Sequence, residues 1–114
     1  MIKKIKKPWG YEEILEINKK FMFKKLFMKK NNRCSLQYHN IKKELVYVIS
    51  GKIQITIKKK KKNIYKILKK GENILISPKT IHRMKAITNC IYLEASTPEI
   101  DDVVRIEDDY KRVK

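Results

Sequence analysis

The chain has 114 residues, 29 Lys and Arg against 12 Asp and Glu for a formal net charge of +17, and 42% apolar residues. That length predicts one domain, residues 1–114, able to bury about two thirds of the surface its unfolded form exposes. So basic a chain invites a nucleic-acid reading, but only Arg33, Arg83, Arg105 and Arg112 are arginine and the lysines run the length of the chain; this predicts a solvated cationic surface, without nucleic acid as partner, whose field draws in anionic substrates.

Period-two alternation dominates and helical periodicity is scarce, which predicts strands. Phe21 and Phe23, then Leu26 and Met28, alternate with lysines, and the slip at Lys24-Lys25 predicts a bulge. Cys34 and later Cys90 form neither a CxxC pair nor a ligand cluster. With no signal-like apolar segment ahead of them, reduced thiols in a cytoplasmic protein are expected, a single Cys34–Cys90 disulfide being the alternative. Residues 46–49 lead to Ser50-Gly51, a turn signal, and Ile53, Ile55 and Ile57 then alternate with Lys52, Gln54 and Thr56, which predicts a hairpin. Residues 58–63 form a polar tip. Its five lysines, residues 58–62, read as a solvated turn that blunts edge-to-edge pairing rather than as a phosphate or membrane contact. Strand resumes over 64–68, turns at Lys70-Gly71, and runs again over 74–76 before Pro78, which cannot donate to a ladder. Apolar runs as short as 74–76 do not cross a bilayer. Residues 91–94 predict a last core strand, and the acidic tail 101–110 either a helical turn or a final edge strand. Many short strands separated by turns predict an all-β fold, a small β-sandwich or barrel.

The only two histidines each fall in one half of a two-part pattern. The first half is Gln37-Tyr38-His39, then Glu44, then Gly51; the second is Gly71, Pro78, Thr80 and His82. Two imidazoles, a glutamate and a glutamine make a mixed nitrogen and oxygen set that suits one divalent ion, with Zn²⁺ first and Co²⁺, Mn²⁺ or Fe²⁺ as alternatives. Gln37, His39, Glu44 and His82 are therefore the predicted ligands. Glu94, set among Ile91-Tyr92-Leu93, is the candidate proton carrier, since burial raises a carboxyl toward a useful range; the competing reading turns it to solvent or to a lysine. Lys79 and Arg83 flank His82 and are candidates for a phosphate contact, or are ordinary charges beside a barrel mouth. Trp9 and Tyr11 either line a sugar pocket or seal the barrel end, with Trp9 read as core and Tyr11 as a candidate substrate contact.

The half-motifs resemble those of the cupin superfamily, where one hairpin supplies His-x-His-x(3,4)-Glu-x(6)-Gly and a second supplies a histidine after Pro-x-Gly. Gln37 stands here at the first histidine and Thr80 at that glycine. The string Ser35-Leu36-Gln37-Tyr38-His39, with Glu44 and Ser50-Gly51-Lys52, is similar to the cupin domain of type II mannose-6-phosphate isomerases, fused in many bacteria behind a mannose-1-phosphate guanylyltransferase. The opening Lys7-Pro8-Trp9-Gly10-Tyr11-Glu12 and the closing Asp101-Asp102-Val103-Val104-Arg105-Ile106-Glu107-Asp108-Asp109-Tyr110-Lys111-Arg112 match that family's ends.

The resemblance implies a cupin β-barrel (double-stranded β-helix, or jelly roll) that interconverts mannose 6-phosphate and fructose 6-phosphate for nucleotide-sugar and polysaccharide synthesis. It also implies a homodimer, with Arg105 near a small anionic sugar-phosphate substrate and Glu94 matching a family glutamate; the alternative for Arg105 is a surface ion pair with Asp101, Asp102 or Glu107. The family's histidine-rich stretch is Asn40-Ile41-Lys42 here, a further histidine is Leu45, and the loop over 97–100 is shortened. These departures bear on substrate more than on metal. They leave two other functions open: a cupin acting on a nucleotide-linked sugar, as ketoisomerase or epimerase, and a non-catalytic metal-cupin that binds sugar.

Overall fold

The structure, a computed structural model, describes residues 3–112. Its strands form two antiparallel sheets. In spatial order the six-stranded sheet holds β1 (Lys3–Lys7), β2 (Gly10–Ile17), β3 (Met22–Met28), β10 (Cys90–Ser96), β5 (Glu44–Ser50) and β8 (Asn73–Ile76). The five-stranded sheet holds β11 (Val104–Glu107), β4 (Leu36–Tyr38), β9 (His82–Ala86), β6 (Ile53–Lys58) and β7 (Asn63–Leu68). No helix among the described residues is long and apolar enough to cross a membrane.

Alternation puts every second side chain of a strand inside. Met22, Leu26 and Met28 of β3, Val46 and Val48 of β5, Ile53 and Ile55 of β6, Met84 and Ala86 of β9, and Cys90 and Tyr92 of β10 are all buried. Most of them join Trp9, Leu68 and Ile76 in one apolar cluster between the sheets. Burying such a large apolar side chain contributes about 1.5–3 kcal/mol. Both cysteines are buried and unpaired in this fold.

The all-β expectation is met, with two corrections in detail. The turn at Ser50-Gly51 does not close a hairpin. β5 pairs with β10 and β8, whereas β6 pairs with β9 and β7, so the turn is a corner at which the chain changes sheets. Gly51, at φ +80°, makes that corner, and a Cβ there would lie 2.1 Å from the Asn89 carbonyl oxygen. Nor does β3 bulge at Lys24-Lys25; its alternation is unbroken, with Lys24 inside, and the irregularity falls on its partner β2 between Ile14 and Glu16. The tail resolves to an edge strand, β11, paired with β4. β6 and β7 do form a hairpin, closed by Lys59 N–H donating to Lys62 at 3.1 Å, with the lysine run exposed at its tip.

Candidate metal centre and its cavity

Three strand ends bring the histidines and Glu44 together. His39 follows the last residue of β4, Glu44 opens β5 and His82 opens β9. Glu44 is 2% and His82 0% exposed. His39 Nε2 lies 3.3 Å and His82 Nε2 3.5 Å from the same Glu44 oxygen, Oε1. One ligand atom from each of the three residues lies within 4.8 Å of the others.

The opposite ring nitrogens are already engaged. His39 Nδ1 meets the Asp102 carbonyl at 2.5 Å, and His82 Nδ1 meets the Thr80 carbonyl at 2.8 Å. A carbonyl only accepts, so each Nδ1 carries the proton, and a neutral ring then presents a lone pair at Nε2. Two lone pairs and a carboxylate oxygen converging in a buried pocket repel one another, an arrangement that a divalent cation would relieve. His82 Nε2 is buried with no hydrogen-bond partner among the described residues, as befits a nitrogen kept for a cation. With protons in place of a cation, Glu44 is still a carboxylate. Burial is the largest influence and pushes its carboxyl up, but the close approach of the His39 and His82 rings and the charge of Lys42 together hold it well below the usual range.

The cluster opens on a cavity of about 690 Å³ whose wall includes Gln37, His39, Glu44, Glu94 and Arg105. Arg105 is paired with Gln37, and Gln37 with His82, so these residues form one row across β11, β4 and β9. At a strand spacing of about 4.8 Å, the backbones of Arg105 and His82 stand about 10 Å apart. The Gln37 amide nitrogen donates to Cys34 Sγ at 3.7 Å, so its carbonyl oxygen is the atom it could offer to a cation. Glu94 faces this row from the other sheet, beside Lys24 and Val46. Burial, then the charge of Glu44, pushes its carboxyl up to about 8 against the opposing charges of Lys42 and Lys24. Neutral Glu94 donates a hydrogen bond to Glu44. Arg105 Nε is buried without a hydrogen-bond partner among the described residues. The arrangement pairs a cation site with a carboxyl of shifted acidity, a combination suited to moving a proton beside a developing oxyanion, and adds an unspent guanidinium able to take an anion.

Three candidates lie elsewhere. Tyr11 is on the outer face of β2, stacked on Phe27 at 5.4 Å with the Lys4 ammonium 4.1 Å from its ring centroid, because alternation turns its neighbour Glu12 inward instead. Arg83 follows the inward His82 and so takes the opposite face of β9. There its Nε donates to Cys34 O at 3.0 Å and its Nη2 to Glu107 O at 3.2 Å, clamping strands together. Lys79 has an exposed side chain and φ of +65°; its backbone N–H donates to His39 O at 2.6 Å and ties one half-motif to the other. Trp9 is both core and cavity wall.

The cavity also holds groups that motif reading passes over. Lys42, buried, lies 3.5 Å from Glu44 Oε2, and Lys24 lies 3.5 Å from Glu12 Oε1. Strict alternation through Met22, Leu26 and Met28 would have placed Lys24 inside. Asp102 had no such signal, yet its carboxylate accepts backbone N–H bonds from Asn40, Ile41 and Lys42 at 3.0, 2.7 and 2.8 Å.

Comparison with known proteins follows the same lines. The family described as mannose-6-phosphate isomerase C-terminal matches residues 1–108. The mannose-1-phosphate guanylyltransferase ManC of Salmonella typhimurium is 29% identical, aligned over 99% of this chain and 24% of its own. The xanthan biosynthesis protein XanB of Xanthomonas campestris is 27% identical, over 96% and 24%. The chain thus spans about a quarter of the length of these curated relatives. Among solved structures, the capsular polysaccharide assembling protein CapF of Staphylococcus aureus superposes with a TM-score of 0.81 at 16% identity, covering 94% of this chain and 34% of that one. Oxalate decarboxylase of Bacillus subtilis gives 0.81 at 14%, over 92% and 30%, and KdgF from Halomonas sp. gives 0.72 at 13%, over 89% and 90%. At these identities the likeness establishes the fold, a cupin barrel.

Proposed function

The chain belongs to the mannose-6-phosphate isomerase C-terminal family, and from that premise we propose that it is a metal-dependent aldose–ketose isomerase interconverting mannose 6-phosphate and fructose 6-phosphate in the supply of activated sugars for polysaccharide synthesis. The observation that carries this reading is the buried His39–Glu44–His82 cluster with the neutral Glu94 carboxyl hydrogen-bonded against it. His39, Glu44, His82 and the Gln37 carbonyl would hold the ion, Zn²⁺ first and Co²⁺, Mn²⁺ or Fe²⁺ next. When bound, it supplies Lewis acidity at the adjacent oxygens of C1 and C2.

The chain's own residues do the rest. Isomerisation moves a proton between C2 and C1 through an enediolate, so it needs one group that is base and then acid. Glu94 has that role: burial and then the charge of Glu44 push its carboxyl up to about 8, so near that pH it can both give a proton and take one back. Arg105, with Nε unpartnered, offers a planar guanidinium to a substrate oxyanion. Trp9, Leu26, Met84 and Tyr92 line the apolar side of the cavity and keep water from the enediolate. The exposed Tyr47, Ile49 and Leu75 on the outside of the six-stranded sheet support pairing of two copies there. A volume of about 690 Å³ also has room for a nucleotide-linked sugar, the second reading.

The test is proton NMR of mannose 6-phosphate in D₂O with the protein loaded in turn with Zn²⁺, Co²⁺ and Mn²⁺, beside His82→Ala. The expected result is fructose 6-phosphate and deuterium at C2 only with the metal-loaded wild type. Absence of exchange with stoichiometrically loaded protein moves the function to a nucleotide-linked sugar or to binding without turnover.

A further inference from the structure

Among the described residues the cavity wall carries six cationic side chains: Lys3, Lys7, Lys24, Lys42, Arg105 and Arg112. Two are committed. Lys42 is paired with Glu44 at 3.5 Å, and Arg112 grips Asp108 through Nε at 2.7 Å and Nη2 at 3.1 Å. The other four face only two carboxyls besides Glu44 and the neutral Glu94, namely Glu12 and Asp101. Glu12 is shared: its Oε1 lies 3.5 Å from Lys24 Nζ and 4.0 Å from Lys7 Nζ. One carboxylate orients two ammonium groups and neutralises one. Lys24, 6% exposed, is the buried partner, and that leaves the charge of Lys7, whose side chain is 25% exposed, facing the cavity. No carboxylate of the described residues lies within 4.0 Å of Arg105. Burial, with the like charges of Lys24, Arg105 and Arg112, holds the Lys7 ammonium below its usual range, and only Glu12 opposes them. The excess positive charge is thus built into the wall at fixed positions, apart from the diffuse field of the surface lysines.

We propose that Lys7 and Arg105 form a subsite for the dianionic phosphate monoester of the substrate, with Glu12 and Lys24 holding Lys7 over the cavity. The phosphate accepts from the guanidinium fork and from the ammonium, and its charge relieves the crowding between them. The placement fits a ligand with two ends. Arg105 sits at one end of the row that runs through Gln37 to His82, so a phosphate there leaves the far end of a six-carbon chain at the His39–Glu44–His82 cluster. The monoester itself is taken from the sugar-phosphate reading above; the anion site is argued from the wall alone.

Two measurements separate the claims. Inorganic phosphate is titrated into wild type, Lys7→Gln, Arg105→Gln and, as control, Lys60→Gln in the exposed hairpin tip, with binding followed by amide chemical shifts. The partly exposed Lys7 can be replaced without opening the core. Each subsite variant is expected to weaken phosphate about tenfold, the worth of one charge-assisted hydrogen bond, while Lys60→Gln binds as wild type does. Equal affinity in Lys7→Gln and wild type, or an equal loss in Lys60→Gln, overturns the subsite in favour of surface attraction. In the turnover assay, Lys7→Gln is expected to raise KM for mannose 6-phosphate about tenfold with kcat kept, and to leave KM for unphosphorylated mannose unchanged. If wild type isomerises and Lys7→Gln has an unchanged KM, the subsite falls and the isomerase stands. If wild type does not isomerise but phosphate binding still depends on Lys7 and Arg105, the isomerase falls and the subsite stands.

Discussion

Glu44 is addressed by two imidazoles, the Lys42 ammonium and the Glu94 carboxyl at once. A cation placed on Glu44 therefore has a readable effect one residue away: it cancels the charge that, after burial, does most to keep Glu94 protonated. Zn²⁺ loading is expected to lower the Glu94 titration from about 8, followed by carbon NMR of its carboxyl. Glu94→Gln is expected to reduce turnover by about 10²–10⁴ with Zn²⁺ affinity retained within a few-fold. The stability signature has a fixed sign. In the metal-free protein the folded carboxyl titrates above its ordinary 4.5, so its contribution is full below about 4.5 and is lost as pH rises through about 8. Denaturation of the metal-free protein should show wild type losing stability across that window and Glu94→Gln losing less. At this scale His39, Glu44 and His82 were legible because ligands must be specific residue types at specific spacings. Arg83 and Tyr11 misled because charge and aromaticity say nothing about which face of a strand a residue takes.

Among elements, β11 and the turn before it do more than cover an edge. Asp102 holds His39 by its backbone carbonyl and the segment 40–42 by its carboxylate, and three residues later β11 delivers Arg105. Asp102→Ala keeps the carbonyl and removes the three N–H acceptors. It is expected to weaken Zn²⁺ by about 10–100-fold, the usual effect of losing a group that orients a ligand, measured by competition with a chromogenic chelator. Period-two patterning located β6 and β10 well, because half-buried strands advertise their inner face, while β7, exposed up to Leu68, was located by its turns. It did not reveal which strands pair: Val46, Val48, Ile53 and Ile55 present the same alternation whether their strands share a sheet or face each other across the core, and here they face. β9 was missed because His82 occupies an inward position that apolar counting passes over, and Lys24 hid the continuity of β3 for the same reason.

At the level of the whole molecule, the all-β barrel was legible from strand number and spacing. The ligand set was legible only as a list, since Glu44 and His82 are far apart in sequence and meet only once two sheets have closed on each other. Metal binding should accordingly report on the closed barrel: Zn²⁺ at a hundred times its dissociation constant is expected to add about 2.7 kcal/mol by mass action. The rise in Tm should vanish in His82→Ala. The contact between Asp102 and His39 also sets an order of events on the ribosome. Both imidazoles are synthesised before the residue that fixes the ring of His39, so a nascent chain carries the ligands for a time without the constraint that makes them a site. Metal captured in that interval would meet a histidine still able to bind through either nitrogen, until the Asp102 carbonyl takes Nδ1 and leaves Nε2 facing Glu44.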